Sequence, residues 1–230
     1  MAAASKSKLR PIPASADLRQ YLPPILDQGQ RPTCLAFAVT TAHELARAGG
    51  FAVNEDLSEE ALYWGCKQQD RDRLPGTSFV SATAALTRSG QPLEAVWPYD
   101  PTHDDTISYP PPVKPGGPGW HRTRLVRIKV STNRLRAELA RGRAIVLGIV
   151  LTAGFRVPNG DRIPQPQTGE PTFGRHAVLS VGYQDGSPNP NHGALIIRNS
   201  WGDTWGNRGY AWLPYAYVRA LGREAWRLRL

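Results

Sequence analysis

The stretch DQGQRPTCLAFA, residues 27–38, places a cysteine at the predicted start of a helix. After Pro32, apolar residues recur at helical spacing through Leu35, Val39 and Leu45, until two glycines at 49–50 end the pattern. A helix N-terminus offers partial positive charge and unbonded N–H groups, which stabilise a thiolate. Cys34 is therefore a candidate nucleophile, although most lone cysteines in apolar surroundings are structural. A base for this thiol must come from elsewhere in the chain.

The composition describes an ordinary globular chain with many irregular connections. The 230 residues are 40% apolar and 20% charged, and their 22 glycines and 21 prolines follow no period, which excludes collagen, coiled coil and a disordered tail. Residues 144–151, the longest apolar run, are too few to span a bilayer, and residues 1–8 lack the apolar region of a signal peptide. With only Cys34 and Cys66, at most one bridge could form, so a disulfide-stapled secreted scaffold is not expected. We therefore expect a cytoplasmic protein, with delivery as a secreted effector or toxin left as an alternative.

The positive charge is concentrated in the second part of the chain. The formal net charge is +9, made up of −1 over residues 1–100 and +10 over residues 101–230. Nucleic acid, an anionic membrane and an acidic protein are the partners that such charge attracts. No nucleic-acid-binding motif accompanies the charge, so we expect neither nucleic acid nor membrane as a partner. An acidic protein could dock on the basic half and its C-terminal tail, against the simpler alternative of a solvated surface; the tail arginines are Arg219, Arg223, Arg227 and Arg229.

Periodicity and turn residues divide the chain into a helical first half and a β-rich second half. Further helices are predicted from Ser58, over about 78–88 and over 131–141. Strands are predicted over 124–130, 144–151, 177–183, 194–198 and 209–213. The proline-rich text between Trp97 and Trp120 sustains neither element and is interpreted as the crossing between two lobes.

Three segments, in order along the chain, resemble the papain-like cysteine peptidases. The first is residues 27–38, where Gln28 precedes Cys34 by six residues; the others are GRHAVLSVGY, residues 174–183, and IRNSWGDTWGNRGY, residues 197–210. His176 lies 142 residues after Cys34, and Asn199 lies 165 residues after Cys34. The resemblance covers nearly the whole chain. It implies an α+β, papain-like two-lobed fold: one domain over 1–230, with a helical lobe at roughly 24–108, a β-barrel-like lobe at roughly 109–218, an N-terminal segment that crosses over, and an active-site cleft between the lobes.

The resemblance also implies a role for each matched residue. Cys34 would attack the carbonyl, and His176 would form an ion pair with its thiolate and later protonate the leaving amine. Asn199 would orient the imidazole, under the cover of Trp201. The Gln28 amide and the Cys34 N–H would form an oxyanion hole. Substrate would bind along Gly76, Thr77, Ala177 and Trp201.

Departures from the secreted relatives indicate an intracellular-type member. Those relatives have Cys-Gly-Ser-Cys-Trp at the nucleophile, whereas this chain has Arg31-Pro32-Thr33-Cys34-Leu35 and so lacks one half of a disulfide. Cys66 is expected to be a free structural thiol. The family's Gly-Gly substrate ledge aligns with Leu74-Pro75-Gly76-Thr77. Main-chain pairing with an extended substrate could persist there, but the specificity pocket differs. The family's substrate preference therefore does not carry over. The chain starts near the mature position, which predicts a bacterial-type member without a prosegment, regulated from elsewhere or excised from a longer protein.

Hydrolysis of peptide bonds in a protein or peptide substrate is the leading hypothesis. The alternatives are a transglutaminase-like acyl transferase or deamidase that uses the same three residues, and a catalytically degenerate protein-binding module. No cofactor and no metal are expected, because no zinc-type spacing of His and Cys occurs. His43, His103, His121 and His192 lack matching neighbours and are assigned to surface or structural roles. We expect a monomer.

Overall fold

A seven-stranded antiparallel sheet and a set of helices make up the part of the chain that the computed structural model describes, residues 11–71, 74–105, 109–186 and 193–229. The helices are α1 Cys34–Arg47, α2 Glu59–Lys67, α3 Phe79–Arg88, α4 Thr132–Leu139, α5 Ala153–Arg156 and α6 Tyr215–Leu221. The strands are β1 Ser15–Asp17, β2 Arg124–Ile128, β3 Ile145–Thr152, β4 Thr172–Gln184, β5 Ala194–Arg198, β6 Tyr210–Pro214 and β7 Gly222–Arg229. The predicted α+β class is confirmed.

Helix α1 is the centre of the helical side. It is buried from Leu35 through Leu45 without interruption, so it is enclosed on all sides rather than amphipathic. Helices α2 and α3 pack beside it and begin close to the predicted starts at Ser58 and at about residue 78, where each has a serine N-cap. Ser58 Oγ accepts from the N–H of Ala61 at 2.9 Å, and Ser78 Oγ accepts from the N–H of Ser81 at 3.1 Å.

The sheet has the strand order β2-β7-β3-β4-β5-β6, and β1 pairs with β4. Its central strands are buried on both faces, with one apolar cluster between the sheet and helices α1–α3 and a second on the opposite face. Val146 and Leu179 belong to the first cluster, while Ile145 and Val178 belong to the second. Burial on both faces explains why the predicted strands appear in the sequence as continuous apolar runs.

The C-terminal residues that the sequence assigned to a tail form structure instead. Arg219 lies in α6, and Arg223, Arg227 and Arg229 lie in β7, which pairs with both β2 and β3. The tail assignment was wrong because a short arginine-rich strand gains its stability from its two neighbours and carries little local signal. The sheet therefore continues beyond residue 218. Helices α5 and α6 were also missed, since both are under eight residues long.

The N-terminal segment runs along the sheet before the chain enters the helical side. The N–H of Leu18 donates to Val181 at 2.9 Å, and Tyr183 donates to the carbonyl of Pro13 at 2.6 Å. The proline-rich segment, predicted as a crossing, packs on the helical side, where Trp64 donates to the carbonyl of Tyr109 at 3.0 Å. Among the described residues, no helix has the length and apolar character needed to traverse a bilayer.

Candidate active site

A cleft of about 1150 Å³ separates the start of α1 from the sheet. Seven of the eight predicted site residues line it: Gln28, Cys34, Gly76, Thr77, His176, Ala177 and Trp201. The eighth, Asn199, is buried behind His176. The structure thus brings together residues that are up to 173 positions apart in the chain.

Cys34 is the first residue of α1 and is partly exposed to the cleft. Burial by itself raises the pKa of its thiol, but attraction to His176, a hydrogen bond with that ring and the N–H groups of Ala177 and Leu35 together lower the pKa below its usual value. The position at a helix N-terminus acts in the same direction. The site therefore favours a thiolate at Cys34.

His176 and Asn199 form a buried, directly hydrogen-bonded pair. His176 Nε2 donates to Asn199 Oδ1 at 2.7 Å, because the amide oxygen can only accept. This bond fixes the tautomer and leaves Nδ1 as the ring nitrogen available to the sulfur. The Trp201 ring lies 4.6 Å from the imidazole, centroid to centroid, at 32°, so it packs against the His176 ring. Phe155 packs edge-on against both rings, with its centroid 5.8 Å from those of His176 and Trp201.

Strand positions set the orientation of this pair. His176 stands opposite Ile149 of β3, at the point where β4 becomes buried. Asn199 follows β5, and its N–H donates to the carbonyl of Gly209 at 3.0 Å. Gly209 has a φ of +79°, and a side chain there would overlap Ile25, so only glycine suits this turn.

Gln28 is held so that one amide N–H remains unused. Its Oε1 accepts from Ser200 Oγ at 2.6 Å, and its Nε2 donates to the carbonyl of Arg31 at 2.7 Å. Tyr99 donates to the main-chain carbonyl of Gln28 at 2.8 Å. Because a side-chain amide has two N–H donors, one is still available to a ligand in the cleft.

The opposite wall is a turn at Gly76 and Thr77. Gly76 has a φ of +83°, and its carbonyl accepts from Lys67 Nζ at 3.1 Å. Thr77 Oγ1 donates to Asp70 at 3.1 Å. Beneath this turn Cys66 is buried and unpaired, and burial raises the pKa of its thiol to about 12. The prediction that Cys66 is a free structural thiol is confirmed.

Comparison with known proteins decides the family. The model of the papain family cysteine protease matches residues 12–222. This chain belongs to the papain family. Among curated relatives, cathepsin R of Mus musculus is 30% identical over 204 residues, which are 86% of this chain and 59% of that protein. An uncharacterized peptidase C1-like protein of Acanthamoeba polyphaga mimivirus is 26% identical over 213 residues, 84% of this chain and 65% of that protein. This chain thus spans about 55–65% of the length of the first such relatives.

A solved bacterial structure supports the fold. Xylellain, a cysteine protease from Xylella fastidiosa, superposes with a TM-score of 0.79 at 26% identity, covering 95% of this chain and 87% of that one. The predicted papain-like fold is thereby confirmed, and the solved structures that resemble this chain include bacterial members. No disulfide joins the chain's two cysteines, both of which are described.

A buried ion cluster at Arg31 in this papain-family chain was not predicted from the sequence. The guanidinium contacts Glu60 and, at 2.7 Å, Asp105, and it stacks on Tyr99 with its central carbon 4.9 Å from the ring. Arg31 had been noted only as a departure from the relatives. Its partners lie 29 and 74 residues away, so no local signal connects them.

The other histidines that the structure describes, His43, His103 and His121, do not line the cleft. His43 is fully buried, with Nδ1 2.9 Å from Gln91, and His121 makes main-chain bonds to Gln91. His103 packs against Tyr109, and His192 lies outside the described residues. Among the residues that the structure describes, no group of three His, Cys, Asp or Glu side chains is placed to hold a metal ion.

Proposed function

We propose that this chain hydrolyses peptide bonds with Cys34 as the nucleophile, His176 as general base and acid, and Asn199 as the residue that orients the imidazole. The proposal is carried by the 2.7 Å bond between His176 Nε2 and Asn199 Oδ1 beside a thiol whose pKa is lowered mainly by His176. A fixed tautomer directs the other ring nitrogen to the sulfur.

The reaction has two halves. The Cys34 thiolate bonds to the substrate carbonyl carbon, and the electron pair moves to the oxygen. The spare N–H of Gln28 and the main-chain N–H of Cys34 stabilise that oxyanion. When the tetrahedral species collapses, the C–N bond breaks and His176 gives its proton to the leaving amine. Water then attacks the acyl-enzyme, His176 accepts a proton from it, and the C–S bond breaks to release the acid and the thiolate.

The cleft favours an extended chain as substrate over a small amide. Its volume of about 1150 Å³ exceeds the usual range for small-molecule pockets, and it continues to both sides of Cys34. The Gly76–Thr77 turn offers main-chain groups to a peptide on one side, and Trp201 bounds the other. An acyl transferase would need the same residues and would differ only in the acceptor of the acyl group.

Labelling and cleavage test the proposal together. Iodoacetamide at about pH 6 is expected to alkylate Cys34 and abolish cleavage of casein, while Cys66 remains unmodified because its thiol is buried. Cys34→Ala should remove all cleavage and keep the fold, and the matched variant Cys66→Ala should keep cleavage. Full activity in Cys34→Ala would overturn the assignment. Addition of an amine, with product masses recorded, separates hydrolysis from transfer: amide adducts in excess over acids would favour the transferase.

A further inference from the structure

Two exposed arginines line one end of the cleft. Arg156 ends α5 and Arg175 lies in β4. Both side chains are exposed, and among the described residues neither forms an ion pair or hydrogen bond. By contrast, Arg31, which also lines the cleft, is buried and neutralised by Glu60 and Asp105. The charge of Arg156 and Arg175 is therefore available to a ligand.

These arginines lie at the end of the cleft that the leaving group must cross. Arg175 directly precedes His176 in β4. Arg156 directly follows Phe155, whose ring contacts both His176 and Trp201 at 5.8 Å. In the proposed mechanism His176 protonates the leaving amine, so the substrate residues on the C-terminal side of the scissile bond pass over this group.

Apolar side chains accompany the two cations. Phe173, two residues before Arg175, is 48% exposed, and Val157 is 80% exposed. The guanidinium carbon of Arg156 lies 5.5 Å from the centre of the Phe173 ring. This stacking restrains the long arginine side chain, which reduces the entropy lost when it binds a partner. The surface therefore combines positive charge with an exposed ring.

The charges elsewhere in the cleft are already engaged. Arg223 donates to the carbonyls of Ala220 and Gly222 at 3.0 and 3.3 Å. Glu224, beside Gly148 on the other side of β3, accepts from Trp226 at 3.0 Å. Among the described residues that line the Trp201 end of the cleft, the one carboxylate is Asp27, whose Oδ1 accepts from the N–H of Gly29 at 2.8 Å. The end of the cleft that faces the leaving group therefore carries a net positive charge, because two arginines stand there with one carboxylate that is already hydrogen-bonded.

We propose that Arg156 and Arg175 select substrates with an acidic side chain among the first three residues after the scissile bond, with an apolar residue beside it packed on Phe173. The proposal deepens the proposed peptidase function and rests on it. The substrate class is an acidic and apolar segment of a polypeptide, which fits the positive charge and the exposed Phe173 ring at this end of the cleft.

Matched peptides test this selection. Sites cut by the wild-type protein in a proteome-derived peptide library supply one efficiently cleaved sequence, from which internally quenched peptides with Glu or Gln at each of the three positions are made. The Glu peptide is expected to have the higher kcat/KM by about two- to five-fold for each arginine it meets, the range of an exposed ion pair. The ratio should fall towards one in about 0.5 M NaCl, because salt screens exposed charges.

Arginine variants assign the effect to this end of the cleft. R156Q/R175Q should bring the Glu to Gln ratio to about one, and an unchanged urea unfolding midpoint reports that the fold is intact. The control R124Q/R127Q removes the same charge from exposed positions on β2, at the edge of the sheet, and should keep the ratio. R156E/R175E should prefer a Lys peptide over the Glu peptide.

The outcomes separate this proposal from the peptidase function itself. Equal rates for Glu and Gln peptides with active wild-type protein, or an unchanged ratio in R156Q/R175Q, would overturn the selection and leave the peptidase standing. Absence of any cleaved peptide, together with no preferential alkylation of Cys34, would overturn the peptidase function and the selection with it.

Discussion

Glu44→Gln is expected to make the free energy of unfolding less sensitive to rising pH. Glu44 lies in α1 with 3% of its surface exposed, and its Oε1 accepts from the N–H of Leu57 at 2.9 Å. Burial, reinforced by the charges of Asp56 and Glu94, raises the pKa of Glu44 to about 8, against the pull of the Leu57 N–H and Arg198. The folded protein therefore holds this proton at neutral pH.

The magnitude follows from proton linkage. An unfolded glutamate has a pKa of about 4.3, so between about pH 5 and pH 8 the folded state binds one proton more than the unfolded state at this residue. Its contribution to stability is complete below about pH 4 and is lost as pH rises, by about 1.4 kcal/mol per pH unit. Between about pH 5.5 and pH 7.5 the loss amounts to about 2–3 kcal/mol.

Glutamine keeps the acceptor for Leu57 and carries no titrating proton. The free energy of unfolding of Glu44→Gln, minus that of the parent, is therefore expected to increase by about 2–3 kcal/mol over the same range. The neighbours Glu59 and Glu94, whose pKa values burial also raises, and His43, whose pKa burial lowers to about 4, act in both proteins and cancel to first order in the difference.

Urea unfolding followed by the fluorescence of the seven tryptophans measures this difference. The Cys34→Ala background prevents self-digestion. Asp203→Asn, which removes an exposed carboxylate, serves as the control. Its difference in free energy of unfolding from the parent should not change with pH over this range. A difference for Glu44→Gln that stays constant to within about 0.5 kcal/mol from pH 5.5 to 7.5 would refute the reasoning, since one buried proton cannot be hidden at that precision.

Three further variants probe the site. Gln28→Ala should lower kcat by about 10²–10³-fold, as loss of one oxyanion donor does, and KM for a peptide should change little. Asn199→Ala should lower kcat and reduce the selectivity of iodoacetamide for Cys34 at mildly acidic pH, because the imidazole loses its fixed tautomer; wild-type labelling rates would argue against that role. Arg31→Met should destabilise the fold by about 3–5 kcal/mol, since Glu60 is left buried without its cation, and Glu60→Gln in the same chain should restore part of the loss in a urea titration.

Local signals account for the parts of the fold that the sequence predicted. The apolar spacing after Cys34 and the caps at Ser58 and Ser78 are properties of neighbouring residues, and the corresponding helices form where expected. Strand β7 could not be predicted in the same way, because its place between β2 and β3 depends on partners about 80–100 residues earlier in the chain. Its stability comes from that pairing.

The residues of the candidate site also fall into those that local sequence predicts and those that depend on distant contacts. Cys34, His176 and Asn199 each stand in a motif, so their meeting in one cleft was expected from resemblance. Arg156 stands in no motif, and Arg175, although it lies in the segment 174–183, is not one of the residues to which the resemblance gives a role. Their position near His176 follows from the short helix α5 and from the pairing of Val150 with Arg175, neither of which periodicity reveals. The proposed substrate selection thus depends on tertiary placement that the residues matched by resemblance do not encode.

The Arg31 cluster holds the segment that carries Gln28 and Cys34. Secreted relatives place half of a disulfide at this point, whereas here a guanidinium joins the segment to Glu60 of α2 and to Asp105. A buried ion pair adds little net stability compared with well-packed apolar residues, because both charges lose their hydration. The hydrogen bonds of Arg31 do, however, orient this segment. Arg31 also donates to the carbonyl of Asp100, and its own carbonyl accepts a hydrogen bond from the side-chain amide of Gln28. The same residue that ties this segment to α2 therefore also holds the Gln28 amide that we propose as an oxyanion donor, and this link requires no oxidised cysteine.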